Sequence, residues 1–249
     1  MIDIHSHVLY GLDDGAPTID DSLAMLRVAE ENGTTDLVAT PHANLTYRFQ
    51  PDLIRARLAE LSGKTAVRLY SGCDFHLSYD NIQDAIENPQ KYTINQKRYL
   101  LVEFSDLLIF RNTAEIFGRL QDVGMIPVIT HPERNGLLRQ RTENLEAWIE
   151  AGARIQLTAQ SLTGGFGARA QEFSEGLLDR GLVHFVASDA HDCEHRPPAL
   201  TEAHAWLAKR YDQSAANALC IENPKAAIEG QPVQKLNPAE PRKWYQVWR

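Results

Sequence analysis

A closed or nearly closed α/β barrel is the fold this sequence predicts, on three observations. Seven short β-rich runs alternate with amphipathic helical stretches, which implies parallel strands joined by right-handed crossovers. Glycine recurs just past the helical stretches, at Gly33, Gly124, Gly152 and Gly181, as expected of a left-handed C-cap before the next strand. The length, 249 residues, suits a single unit, since α/β barrels run to about 250 residues as one domain. An open doubly wound sheet is the alternative, weakened because no Gly-rich phosphate fingerprint follows the first strand.

The first strand is expected at Ile2–His5. Thr18-Ile19-Asp20-Asp21 then starts a helix in the manner of a capping box, with Leu23, Leu26 and Ala29 at helical spacing. Strands follow at Asp36–Ala39, Val67–Ser71, Tyr99–Phe104, Ile126–Thr130, Arg154–Leu157 and His184–Ala187, each rich in Val, Ile, Leu or aromatic residues and ending at a polar or Gly/Pro signal. The helices between them are expected at Phe49–Leu61, Thr113–Asp122, Thr142–Ala151 and Ala168–Arg180. One domain, 1–249, results. Its end, from about residue 222, carries Pro224, Pro232, Pro238 and Pro241 and reads as an irregular tail wrapping the barrel. Trp244 and Trp248 in that tail are expected to pack on the outside, with a homo-oligomer or partner contact as the alternative.

Charge and cysteine content narrow the function. The 25 Lys+Arg against 33 Asp+Glu leave a net charge of −8, which argues against a nucleic-acid or anionic-membrane binder. A phosphorylated substrate stays open wherever cations are bound locally. Cys73, Cys193 and Cys220 are too few and too scattered for a disulfide framework or a cysteine zinc site, so a reducing cytoplasm is the expected compartment. No apolar run approaches the roughly 18 residues of a membrane span, and no signal peptide is read at Met1-Ile2-Asp3-Ile4-His5.

Five of the nine histidines, His5, His7, His42, His131 and His191, stand where predicted strands end, and in a barrel those ends form the face that carries the active site. Asp14, Asp74, Glu103 and Asp189 fall at the same ends. His5 and His7, and again Asp189 and His191, have the i, i+2 spacing that projects two side chains to one side of an extended strand. Singly, each motif has a plain structural reading: polar strand ends, a turn at Asp13-Asp14-Gly15, a histidine beside Pro41 or Pro132. Jointly, imidazoles and carboxylates without thiolates suit Mn²⁺, Fe²⁺ or Zn²⁺. The donors exceed the need of one ion, so two or three are expected, and their charge lets clustered carboxylates stay ionised. Arg134 and Arg196 leave the same face and carry the planar fork suited to phosphate oxygens; solvated surface charge is their plainer reading.

These residues occur in order as Met1-Ile2-Asp3-Ile4-His5-Ser6-His7, Gly11-Leu12-Asp13-Asp14-Gly15, Ala39-Thr40-Pro41-His42, Val102-Glu103-Phe104, Thr130-His131-Pro132-Glu133-Arg134 and Ser188-Asp189-Ala190-His191 with Arg196-Pro197. From residue 1 to about 230 the chain resembles the bacterial capsular-polysaccharide tyrosine phosphatases of the polymerase-and-histidinol-phosphatase (PHP) superfamily. The resemblance implies a distorted (β/α)7 barrel and three divalent ions, manganese in the first place and iron or zinc as alternatives. It implies hydrolysis of phosphotyrosine on protein, notably on the tyrosine autokinase that controls exopolysaccharide synthesis and export. Carried over, His5, His7, Asp74 and Asp189 hold one metal, Asp74, Glu103 and His131 a second, and Asp14, His42 and His191 the third. Arg134 and Arg196 match the phosphate-contacting arginines. The family's Gly-x-Glu segment after strand three reads Gly72-Cys73-Asp74 here, one methylene shorter. His76, two residues on, is read either as reaching the substrate phosphate or an outer metal shell, or as a loop histidine satisfied by a neighbour.

The rival readings are a small-molecule phosphomonoesterase of the same superfamily, such as a histidinol-phosphate phosphatase, a nuclease or proofreading module, and an inactive scaffold. Net charge counts against the nuclease, and retention of every ligand type counts against the scaffold. An open mouth would favour a protein substrate and an enclosed one a metabolite.

Overall fold

The computed structural model describes residues 1–236. The first half contains β1 (Ile2–Ser6), α1 (Ile19–Glu31), β2 (Asp36–Ala39), β3 (His42–Ala43), α2 (Pro51–Ser62), β4 (Arg68–Ser71), β5 (Asp74–His76), α3 (Tyr79–Glu87) and β6 (Tyr99–Glu103). The second contains α4 (Thr113–Asp122), β7 (Ile126–Thr130), α5 (Gly136–Arg139), α6 (Thr142–Glu150), β8 (Arg154–Thr158), α7 (Ala159–Leu162), α8 (Ala168–Asp179), β9 (Phe185–Ala187), α9 (Thr201–Arg210), α10 (Gln213–Asn217) and, after a π turn, α11 (Asn223–Glu229).

Every strand pairing is parallel. The nine segments make seven strands, because β2 runs on into β3 and β4 into β5, with breaks at Thr40-Pro41 and Gly72-Cys73. Pro41 has no N–H to give to the ladder, but its carbonyl still accepts from the Asp74 N–H at 3.2 Å. The ring closes between the last strand and the first. Ser6 pairs with Ala190, the His7 N–H donates to Ala190 O at 2.8 Å, and the Asp189 N–H donates to His5 O at 2.8 Å.

Ile4, Val38, Leu101, Val128 and Phe185 fill the barrel beneath that closure, with Ile94 and, from α11, Ala227 and Ile228. Burying each of the larger side chains stabilises the fold by roughly 1.5–3 kcal/mol. The Pro-rich end therefore begins as a helix that packs at the barrel base, not as an irregular wrap. Pro224 occupies the first turn of α11, where no N–H is needed, and the Tyr99 hydroxyl donates to Gln231 O at 2.7 Å. Trp244 and Trp248 lie outside the described residues. The capping box at Thr18 and Asp21 is present, and Gly152, at φ 106°, takes the expected left-handed position after α6.

Candidate metal centre

The candidate ligands stand at the C-terminal ends of the strands. A register irregularity in β1 between Asp3 and Ser6 lets adjacent residues face inward: Ile4 into the core, His5 into the site above it. Gly15 allows the Asp13-Asp14 loop to fold onto the strand, since a Cβ there would stand 2.0 Å from the His7 carbonyl oxygen. His131 and Asp189 both adopt positive φ, 33° and 53°, a conformation costly for these residues and concentrated at functional sites.

All nine candidate ligands converge. His5 Nε2 lies 3.3 Å from Asp189 Oδ1 and 3.5 Å from Asp74 Oδ2, and His7 Nε2 lies 3.4 Å from Asp189 Oδ1. Asp14 Oδ1 stands 3.3 Å from His42 Nε2 and 3.5 Å from His191 Nε2, while Glu103 Oε1 stands 3.7 Å from His131 Nε2. Donor atoms gather within 4.8 Å of one another in four overlapping groups: His7 with Asp14, His42 and His191; His5 with Asp74 and His131; His5 with His7 and Asp189; and His42 with His76 and Glu103. The last group includes a histidine outside the nine.

The donor set fits divalent cations. His42 Nδ1, both oxygens of Asp74, His76 Nε2 and Glu103 Oε2 are buried and without a hydrogen bond, and leaving such atoms unpaired costs about 1–3 kcal/mol each. Cations among them would satisfy the lone pairs and offset the carboxylate charge. The same crowding shapes the titration. Burial, with Asp74 beside it, raises the Glu103 carboxyl. Burial and the Arg134 charge push His131 down to about 3, keeping its imidazole neutral, the form that ligates. Burial opposes ionisation of Asp189, but His5, His7, His131 and Arg134 outweigh it and hold the group well below the usual carboxylate range.

Arg134 and Arg196 both turn their guanidinium groups onto Asp189 Oδ2. Neither is a free surface charge; they stand one carboxylate away from His5 and His7. Three orienting contacts were not anticipated from sequence. His7 Nδ1 pairs with Asp13 Oδ2 at 2.7 Å, His5 Nδ1 with Gln156 Oε1 at 2.9 Å, and the Arg134 guanidinium lies 4.4 Å over the Phe166 ring. The first two fix the ring orientation that aims Nε2 at the site. A lone glutamine inside the apolar run Ile155-Gln156-Leu157 was the available signal.

The mouth is open at Asp14, whose side chain is 50% exposed. Beside it, His76, Phe104, Leu108, Phe110, Tyr79 and Leu45 line a cavity of about 490 Å³. The five exposed large hydrophobic residues among those described, Leu45, Tyr79, Leu107, Leu108 and Phe110, lie around this rim, four in loops and Tyr79 at the start of α3. A larger cavity of about 800 Å³ near Phe49, Arg55, Lys91 and Met125 includes none of the candidate ligands.

Residues 1–229 match the family model described as capsular polysaccharide synthesis, CpsB/CapC. The chain is 35% identical to a putative tyrosine-protein phosphatase CapC of Staphylococcus aureus, covering 98% of this chain and 99% of that protein. It is 34% identical to the tyrosine-protein phosphatase YwqE of Bacillus subtilis, covering 98% and 99%. A solved structure from work on YwqE and on CpsB of Streptococcus pneumoniae, described as unique metal-dependent tyrosine phosphatases, superposes with a TM-score of 0.89 at 33% identity, covering 98% of this chain and 100% of that one. A lactonase from Listeria monocytogenes, at 11% identity and a TM-score of 0.58, shares the fold alone.

Proposed function

The chain belongs to the CpsB/CapC family of capsular polysaccharide synthesis, and we propose from that premise that it is a metal-dependent protein-tyrosine phosphatase. One observation of the molecule carries the reading: nine His, Asp and Glu side chains and two arginines meet at one barrel mouth. These residues would hold divalent ions, whose chemistry there would be to lower the pKa of a bound water and offset charge on the phosphoryl group. The proposed holders are His5, His7, Asp74 and Asp189 for one ion, Asp74, Glu103 and His131 for a second, and Asp14, His42 and His191 for a third, with Mn²⁺ the proposed metal. Asp13 and Gln156 orient the imidazoles. Arg134 and Arg196 are proposed to fork onto the phosphate oxygens and stabilise them as charge accumulates.

No cysteine is assigned to the chemistry. Cys73 is buried, and burial pushes its thiol well above the ordinary value, far from the thiolate a nucleophile needs. The open, apolar-rimmed mouth favours a protein segment over an enclosed metabolite such as histidinol phosphate. The proposed substrate is a phosphotyrosine-bearing tyrosine kinase of polysaccharide export, and the proposed setting is the cytoplasm. No helix among the described residues is long and apolar enough to cross a membrane.

The test is metal removal. After exhaustive chelation the enzyme is expected to lose hydrolysis of phosphotyrosine peptides and to recover it with Mn²⁺. Replacing Cys73, Cys193 and Cys220 by serine should leave turnover largely intact. Full activity in rigorously metal-free protein would refute the reading.

A further inference from the structure

Asp74 and His76 occupy alternate positions of β5, so their side chains project to one face. The register places His42 beside Asp74 and His76 beside Glu103. Four side chains able to ligate thus stand as two cross-strand pairs at the mouth. His42 Nδ1 lies 3.2 Å from Asp74 Oδ2 and 3.4 Å from Glu103 Oε2, and His76 Nε2 meets the same Glu103 oxygen.

The atoms that meet are the ones without hydrogen bonds. His42 Nδ1, His76 Nε2 and Glu103 Oε2 are all buried and unpaired, as are both oxygens of Asp74. Donor atoms of His42, His76 and Glu103 gather within 4.8 Å of one another, close enough to serve one cation. The His76 backbone is itself fixed: Asn81 Nδ2 donates to His76 O at 3.0 Å and to Ala43 O at 2.8 Å, tying β5 to β3.

We propose that His76 is a ligand of the metal centre, giving Nε2 to a divalent cation that it shares with Glu103. The proposal rests on the metal-dependent reading above and adds a tenth residue to its nine. An additional neutral imidazole raises the affinity of that position for Fe²⁺ and Zn²⁺ relative to Mn²⁺.

The experiment compares the full-length wild type with His76→Ala and His76→Gln, each first checked for folding by circular dichroism. Free Mn²⁺ is followed by electron paramagnetic resonance during titration, and pulsed measurements count nitrogen couplings to the bound ion. The expected result is that both variants bind one cation at least about tenfold more weakly and lose one nitrogen coupling. Equal titrations and equal nitrogen counts, in a wild type that binds Mn²⁺ and hydrolyses phosphotyrosine, would overturn this proposal and leave the phosphatase reading standing. A wild type that binds none of Mn²⁺, Fe²⁺ and Zn²⁺ would overturn both.

Discussion

Asp189 divides its two oxygens between two chemistries. Oδ1 faces His5 and His7, while Oδ2 receives Arg134 and Arg196. A phosphate held on the imidazole side therefore lies within reach of both guanidinium groups, and Arg134 is the sharper test because Phe166 backs its plane. Removing one such preorganised donor costs about 2–4 kcal/mol, roughly a 30- to 1,000-fold loss. Arg134→Ala should show that loss in kcat/KM on phosphotyrosine peptides at full metal content, and Arg134→Lys should recover only part, since an ammonium lacks the fork. Near-normal kcat/KM in Arg134→Ala would remove the arginine from the mechanism. The candidate ligands were legible because strand ends and i, i+2 spacing are local signals. The orienting residues were not: Gln156 reaches His5 across a separation of 151 residues, and Phe166 comes from a loop whose sequence carries no chemistry of its own.

The strands were readable because each is a short apolar run with clear punctuation, and all seven recur close to the expected places. Other features at this scale were not. Strands two and three each break in the middle, the short helices α5, α7 and α10 and the longer α9 went unread, and α3 did so because its nine residues hold only Ile82, Ala85 and Ile86 as an apolar stripe. At the base of the barrel, prolines were read as irregularity although Pro224 sits where a helix accepts one. That base also sets a pH response. His184, just before β9, accepts from the Ile155 N–H at 3.3 Å, and burial, helped by the Arg154 charge, pushes it down to about 3. Its folded value lies below the unfolded value of 6.5, so the unfolded chain binds more protons between them. The contribution is fully present above pH 6.5 and is lost as pH falls toward 3. By pH 5 the loss is on the order of 2 kcal/mol. His184→Asn keeps an acceptor near the Nδ1 position and cannot titrate. Denaturant unfolding at pH 8 and pH 5 should therefore lose less stability in the variant than in the wild type. Identical losses would show that His184 does not report on this window.

The whole molecule is acidic, with a net charge of −8, yet the exposed large hydrophobic side chains among the described residues come to one place. Leu45, Leu107, Leu108 and Phe110 sit on loops beyond the strand ends and Tyr79 on the first turn of α3, and Leu107 is 90% exposed. Scattered apolar residues need no explanation, but a contiguous apolar rim against a polar site marks a binding surface. Its place beside His76 and Phe104 would set the tyrosyl ring and its neighbouring residues over this rim when a phosphate is held at the metal centre. A protein substrate would therefore use two surfaces, polar for the phosphate and apolar for the flanking chain, whereas a small aryl phosphate uses only the first. The double variant Leu108→Ser with Phe110→Ser separates them. Losing apolar contact worth about 1–3 kcal/mol should lower kcat/KM roughly 5- to 150-fold on phosphotyrosine peptides with leucine-sized neighbours. On p-nitrophenyl phosphate the same variant should change far less, because that substrate has no flanking residues to lay on the rim. Equal losses on both substrates would mean that the rim supports the site structurally. A peptide-selective loss would mean that the barrel mouth reads the sequence around the tyrosine as well as the phosphate on it.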